Sequence, residues 1–293
     1  MTTRAADLSA DWLALREPAD AQARSVELVE LVRPWLPADR PLVIHDLGCG
    51  TGSMGRWLAP QLSRRQHWVL YDREPELLTA AAAGLPTSGP AGERISSEVR
   101  LEDITRLADE QLAGACLITA SALLDMLTGD ELDRLVASCR RAGCPVLLTL
   151  SVTGQVQLLP TDPLDGEIAD AFNAHQRRRT QGGRLLGPDA AGRAADAFQR
   201  AGADVLVRDS TWRLDASHAP LLAEWFAGWV RAACEQEPSL TAAATGYAGR
   251  RAAEAADGAL RATVQHRDLL VLPAVGSLRP ARVRSGDSGG RPG

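Results

Sequence analysis

The spacing of apolar residues changes period along the chain. PLVIHDLG (41–48) is an unbroken apolar run that ends in glycine, the form expected of a parallel strand covered on both faces. Residues 52–62 switch to helical spacing, with Met54, Trp57, Leu58 and Leu62 apolar. The alternation continues. Strands are predicted over 67–72, 94–101, 115–121 and 144–152, and helices over 74–84 and 129–143. Pro75 opens the first of these helices and Gly84 closes it, the usual placement of the two residues. Strands alternating with helices predict an α/β fold with a parallel sheet between helical layers.

The second half is less regular. Helices are predicted over 163–180, 187–202, 219–236 and 239–260, and strands over 203–214 and 262–273. The first forty residues read as a helical arm bent at Pro18, with Pro34 and Pro37 marking the passage into the first strand. The expected organisation is an arm (1–40), one domain (41–273) with inserted helices at about 160–182 and 219–260, and a disordered tail (274–293) rich in Gly, Pro, Ser and Arg.

With 293 residues, 45% of them hydrophobic and 24% charged, the chain is long enough to bury a core. A net charge of −5, two Tyr and three Phe argue against a nucleic-acid binder relying on bulk charge and stacked bases. Five cysteines, an odd number without a CxxC pair, suit a reducing cytoplasm rather than a disulfide framework. The apolar runs are too short to span a membrane, and no cluster of metal-ligand spacing occurs.

The strongest chemical signal is Asp46-Leu47-Gly48-Cys49-Gly50-Thr51-Gly52, which leaves a strand and enters a helix. Gly-rich turns at the carboxyl edge of a sheet let a ligand approach the main chain. Gly50 to Gly55 also matches GxGxxG, although it starts late for a pyrophosphate turn.

The fuller DLGCGTG resembles motif I of class I S-adenosylmethionine-dependent methyltransferases. That resemblance implies a doubly wound, mostly parallel seven-stranded sheet with an antiparallel last strand. It implies that Asp46, Gly48, Gly50 and Gly52 surround the methionine part of S-adenosylmethionine. Asp72, ending the second strand, would hold the ribose hydroxyls. Asp103 and Ile104 would face the adenine, and Ser121 falls at the family's motif IV. Residues 13–20 and 172–176 are also similar to small-molecule methyltransferases of actinobacteria. Helical arms commonly cover the cofactor in such enzymes, and Arg24 in the arm suits a carboxylate as a bidentate fork.

The place of the D/N-P-P-Y motif of adenine and glutamine N-methyltransferases reads Ser121-Ala122-Leu123-Leu124-Asp125, which favours a small-molecule acceptor. His175 is the candidate base, its ordinary pKa lying near neutrality, and it weakly favours oxygen over nitrogen. Asp125, Tyr247, Arg177–Arg179 and the Trp212, Trp225, Trp229 set are further candidates for the acceptor pocket, each with an equally ordinary packing or surface role. His266 reads as structural. Gly286-Asp287-Ser288-Gly289-Gly290 matches the nucleophile motif of trypsin-like proteases but has no matching scaffold. The expectation is a cytoplasmic methyltransferase for an O or N atom of a small metabolite, with no nucleic-acid or membrane partner and a homodimer left open. The alternatives are an NAD-dependent oxidoreductase and a methyltransferase-like binding protein without catalysis.

Overall fold

The computed structural model describes residues 9–274. The chain runs α1 (Ala10–Ala23), α2 (Val26–Val32), β1 (Leu42–Leu47), α3 (Ser53–Leu58), β2 (Gln66–Asp72), α4 (Pro75–Gly84), β3 (Ile95–Leu101), β4 (Leu117–Ser121) and α5 (Gly129–Ala142). There follow β5 (Val146–Leu159), α6 (Asp165–Gln176), the two-residue strands β6 (Arg179–Thr180) and β7 (Gly183–Arg184), α7 (Ala190–Arg200), β8 (Asp204–Asp209) and β9 (Trp212–Leu214). The last elements are α8 (Ala219–Gln236), α9 (Thr241–Ala256) and β10 (Arg261–Leu272).

The sheet order is β3-β2-β1-β4-β5-β10-β8, with β9 paired to the far end of β10. The first five of these strands run parallel and β10 is antiparallel to both its neighbours. This is the parallel sheet between helical layers that the alternation of strands and helices predicts, in the doubly wound form that the resemblance implies. Strand order reverses between β1 and β4, so their carboxyl ends open the crevice where α/β proteins bind ligands.

Each face of the sheet has its own core. Leu28, Val29 and Val32 of α2, Met54 and Leu58 of α3 and Leu78 and Ala81 of α4 pack on Ile44, Trp68 and Leu70. The opposite face takes α5 and α7 against Leu47, Val69, Ile118 and Leu148. Helix α5 begins at a capping box, Thr128 with Glu131, and stops at left-handed Gly143, as its sequence directs. A third core holds Leu158, Trp212, Leu222, Phe226, Trp229 and Tyr247 with Ala19 of α1. It lies where β5 and β10 run on beyond the sheet and α6, α8 and α9 pack around them.

Three local expectations change. Pro18 lies inside α1 without ending it, and the chain breaks at Arg24 instead. The helix predicted to 180 stops at Gln176, and Arg179–Arg184 forms a tight hairpin over Gln181 and Gly182. The strand predicted over 203–214 divides at Ser210–Thr211, so that both halves pair with β10 at different points. The sheet therefore has eight strands in seven positions. The tail expected to be disordered, with its Gly286–Gly290 motif, lies outside the described residues apart from Ala274.

Candidate active site

The glycine turn after β1 is built around left-handed backbone. Gly48, Gly50 and Gly52 have φ of 64°, 55° and 85°. At Gly52 an added Cβ would stand 3.0 Å from the Cα of Ala81 in α4, so neither the torsion nor the space admits a side chain. The turn is tied to β2 by Asp72, whose Oδ2 accepts the Gly50 N–H at 2.9 Å. Its Oδ1 accepts the N–H groups of Arg73 and Glu74. The sequence gives Asp72 a ligand role only; its carboxylate also holds the turn in shape.

Asp46 is fully buried at the end of β1. Thr119 of β4, directly opposite, donates to its Oδ1 at 2.7 Å. Its Oδ2 has no hydrogen-bond partner among the described residues. Burial pushes its pKa up to about 7, against the opposing effects of Thr119 and Arg24.

Arg24 is equally buried, at 3% exposure. Its Nη2 donates to Ser53 Oγ at the start of α3 and to Ser121 Oγ at the end of β4, both at 3.0 Å. Thr149 of β5 donates to the same Ser121 oxygen. The guanidinium carbon lies 5.5 Å from the Trp57 ring centre. Nε and Nη1 have no partner among the described residues. Burial lowers the Arg24 pKa, while Asp20, Asp268 and Asp46 oppose the shift.

The break that aims Arg24 inward has its own anchor. Asp268 of β10, buried, accepts the N–H of Ser25 on Oδ2 and the N–H of Leu150 on Oδ1, each at 2.8 Å. Leu150 has a φ of 58° and lies where the β5–β10 ladder shifts register. The Asp268 carboxylate replaces the ladder bond that the shift removes. Sequence reasoning missed this residue, although it is the acid that directly precedes the apolar run Leu269–Leu272.

Helix α1 is strapped over the turn. Glu17 and Arg56 form a two-bond pair at 2.7 and 2.6 Å, and Arg56 also donates to the Thr51 carbonyl. Leu13 lies against Gly50. Asp20 takes two bonds from Arg16 and one from the Trp212 indole.

The remaining sequence candidates separate. Asp103 is half exposed and caps the short turn Ile104–Arg106 by accepting from the N–H and hydroxyl of Thr105. Ile104 packs on the sheet core. Glu102 bonds back to Asp72 through its N–H, which places this loop beside the β2 end. His175 points its Nε2 at Glu235 of α8, 3.3 Å away. Burial lowers its pKa, with Arg178 adding to the effect. Trp225 and Trp229 stack at 5.6 Å in the third core, and the Tyr247 hydroxyl donates to Asp165 at 2.7 Å. Arg177 pairs with Asp189. His266 is buried against Trp212, its pKa lowered by burial to about 4. Asp125, after β4, is half-buried. Burial pushes its pKa up to about 6, and Arg16 and Arg178 draw it back.

Among the described residues no group of three or more His, Cys, Asp or Glu is placed to hold a metal, and no helix is long and apolar enough to cross a membrane.

Residues 44–145 match the family model of the methyltransferase domain. No curated protein matches the chain significantly. Among solved structures, the cyclopropane synthase MmaA2 from Mycobacterium tuberculosis is 14% identical, with a TM-score of 0.48 over 90% of this chain and 95% of that one. The [4+2]-cyclase SpnF is 16% identical, at 0.43 over 91% and 94%. A geranyl diphosphate methyltransferase in complex with GPP and sinefungin is 14% identical, at 0.42 over 85% and 78%. Likenesses this distant do not bear on the acceptor.

Proposed function

Residues 44–145 are a class I, S-adenosylmethionine-using methyltransferase domain, and from that premise we propose that the protein transfers a methyl group to an O or N atom of a small molecule held between α1 and the inserted helices. The observation that carries the cofactor placement is the pair of unsatisfied buried groups at the β1–β4 crevice. Nε and Nη1 of Arg24 are donors without acceptors, and Oδ2 of Asp46 is an acceptor without a donor. Two such groups are each costly in a dry interior. The methionine end of S-adenosylmethionine carries the complementary pair, a carboxylate for Arg24 and an ammonium for Asp46. Asp72 has three of its lone-pair sites occupied by backbone N–H groups and one left to accept a ribose hydroxyl. Asp103 and Ile104, which the resemblance sets against the adenine, follow Glu102 in the loop tied to the β2 end.

When bound, the cofactor supplies an electrophilic methyl on a sulfonium. The chain's task is to orient it, exclude water and receive a proton. Leu13 of α1 covers the glycine turn, and the Glu17–Arg56 pair keeps it there. Asp125 is the better proton acceptor. It lies just after β4 with its pKa raised by burial to about 6, whereas His175 is engaged by Glu235. Both oxygen and nitrogen acceptors remain within this reading. GxGxxG has a packing explanation: Gly55, its last glycine, lies inside α3 where a Cβ would meet Leu85 at 2.7 Å.

The test is calorimetry of the protein with S-adenosylmethionine, S-adenosylhomocysteine and NAD, followed by transfer of labelled methyl groups to fractions of a metabolite extract. Binding of both sulfur compounds with label appearing in a small molecule supports the proposal. NAD binding alone refutes the cofactor assignment. Cofactor binding with no labelled product from any fraction refutes the transfer step and favours a binding protein.

A further inference from the structure

Strand β3 lies at the edge of the sheet, bonded to β2 on one side only. The N–H of Glu102 points toward β2, to the Asp72 carbonyl, while that of Ile95 points away, to Thr87. Backbone groups alternate along a strand, so Ser97, Val99 and Leu101 direct their N–H and C=O groups to the open edge. No described residue pairs with them. Side chains alternate as well. Glu98 and Arg100 share one face, 2.8 Å apart, with Glu98 also 3.9 Å from His67. Val99 and Leu101 are 48% and 58% exposed.

We propose that this edge pairs, antiparallel, with the same edge of a second copy of the chain, about a two-fold axis at Val99. In that register Val99 meets the partner's Val99 and Ser97 meets the partner's Leu101, each pair exchanging two backbone bonds. Glu98 then faces the partner's Arg100, and Arg100 the partner's Glu98, at the closer, non-hydrogen-bonded positions, where opposite charges stabilise a pair. The neighbouring registers fail. An axis at Glu98 sets glutamate against glutamate, and one at Arg100 sets arginine against arginine. An axis at Ser97 brings Val99 to Ile95, whose N–H already belongs to Thr87. An axis at Leu101 runs past the end of the strand. The Glu-Val-Arg order is thus complementary to itself in one register, as a two-fold interface requires. The contact is independent of what the methyl acceptor is.

Sedimentation equilibrium across a concentration series tests it. The expected result is a rise from the 31.2 kDa monomer toward twice that mass. Glu98→Arg or Arg100→Glu sets like charges opposite each other and holds the chain at monomer mass; the double exchange restores the dimer with the charges inverted. Both side chains are half exposed, so circular dichroism melts at concentrations where the wild type is monomeric place the variants near the wild-type midpoint. A wild type that is monomeric throughout overturns the proposal, the edge charges then serving to keep other strands away. A dimer that survives either single reversal also overturns it, since another face must hold it. So does a double exchange that fails to restore the mass.

Discussion

Arg24→Met separates binding from folding. In the wild type the guanidinium is buried with Nε and Nη1 unbonded, and only Nη2 is satisfied, by Ser53 and Ser121. Methionine keeps the length of the side chain and its contact with Trp57 while removing a buried charge that lacks a bonded counterion. Replacing such a charge by an apolar side chain is often neutral or stabilising. The unliganded variant is therefore expected to melt at or above the wild-type temperature. The liganded state loses a two-bond contact with a carboxylate. At about 1.5–3 kcal/mol for each bond to a charged group, the loss is about 3–6 kcal/mol, or roughly 10²–10⁴ in affinity. Calorimetry with S-adenosylhomocysteine measures that loss directly. Thermal scans with and without ligand give a second reading: at 100 times the wild-type dissociation constant, ligand stabilises the wild type by about 2.7 kcal/mol and the variant by almost nothing. A variant that binds as tightly as the wild type refutes the cofactor placement. A variant that melts early in the absence of ligand shows that Arg24 serves the fold instead.

Asp46→Asn probes the other end of the cofactor. The folded pKa is raised from 3.8 to about 7, so the folded state holds a proton that the unfolded state has released. Stability of the unliganded protein must then fall as pH rises from near 4 to near 7, by at most about 4 kcal/mol, and the variant flattens that slope in denaturant titrations. Cofactor affinity, measured by calorimetry, should rise over the same interval in the wild type and be flat in the variant. Gly52→Ala forces a side chain into left-handed backbone against Ala81 and should lower stability by about 1–3 kcal/mol in urea unfolding. His175→Gln breaks only a half-exposed pair with Glu235; it should leave S-adenosylhomocysteine affinity unchanged and shift stability by less than about 1 kcal/mol.

What the sequence makes legible follows from how locally each feature is determined. Strands β1 and β4 and the first half of β5 are apolar runs of their own, and the glycine turn is a contiguous motif, so both can be read without knowing their neighbours. Asp46 and Asp72 are contiguous with strand ends, and their positions follow from the strands. The division of 203–214 is not local: β8 and β9 separate because β10 is longer than the sheet, which no window within 203–214 reveals. Nor is the inward aim of Arg24. Its own helix gives no reason for it, since the cause is Asp268, far along the chain. His175 looked useful for its chemistry alone. Its surroundings come from α8, and they turn it toward Glu235.

The fastening of Ser25 by Asp268 also orders events in time. Synthesis reaches the arm that carries Arg24 long before β10, which anchors it, since the two bonded residues lie 243 positions apart. That strand must insert between β5 and β8 before the arm has its seat. The glycine motif waits between them. A chain stalled or cut before β10 would carry the whole DLGCGTG signature and still hold Arg24 in no fixed place. Order at the β1–β4 crevice therefore requires that β10 has been made and inserted.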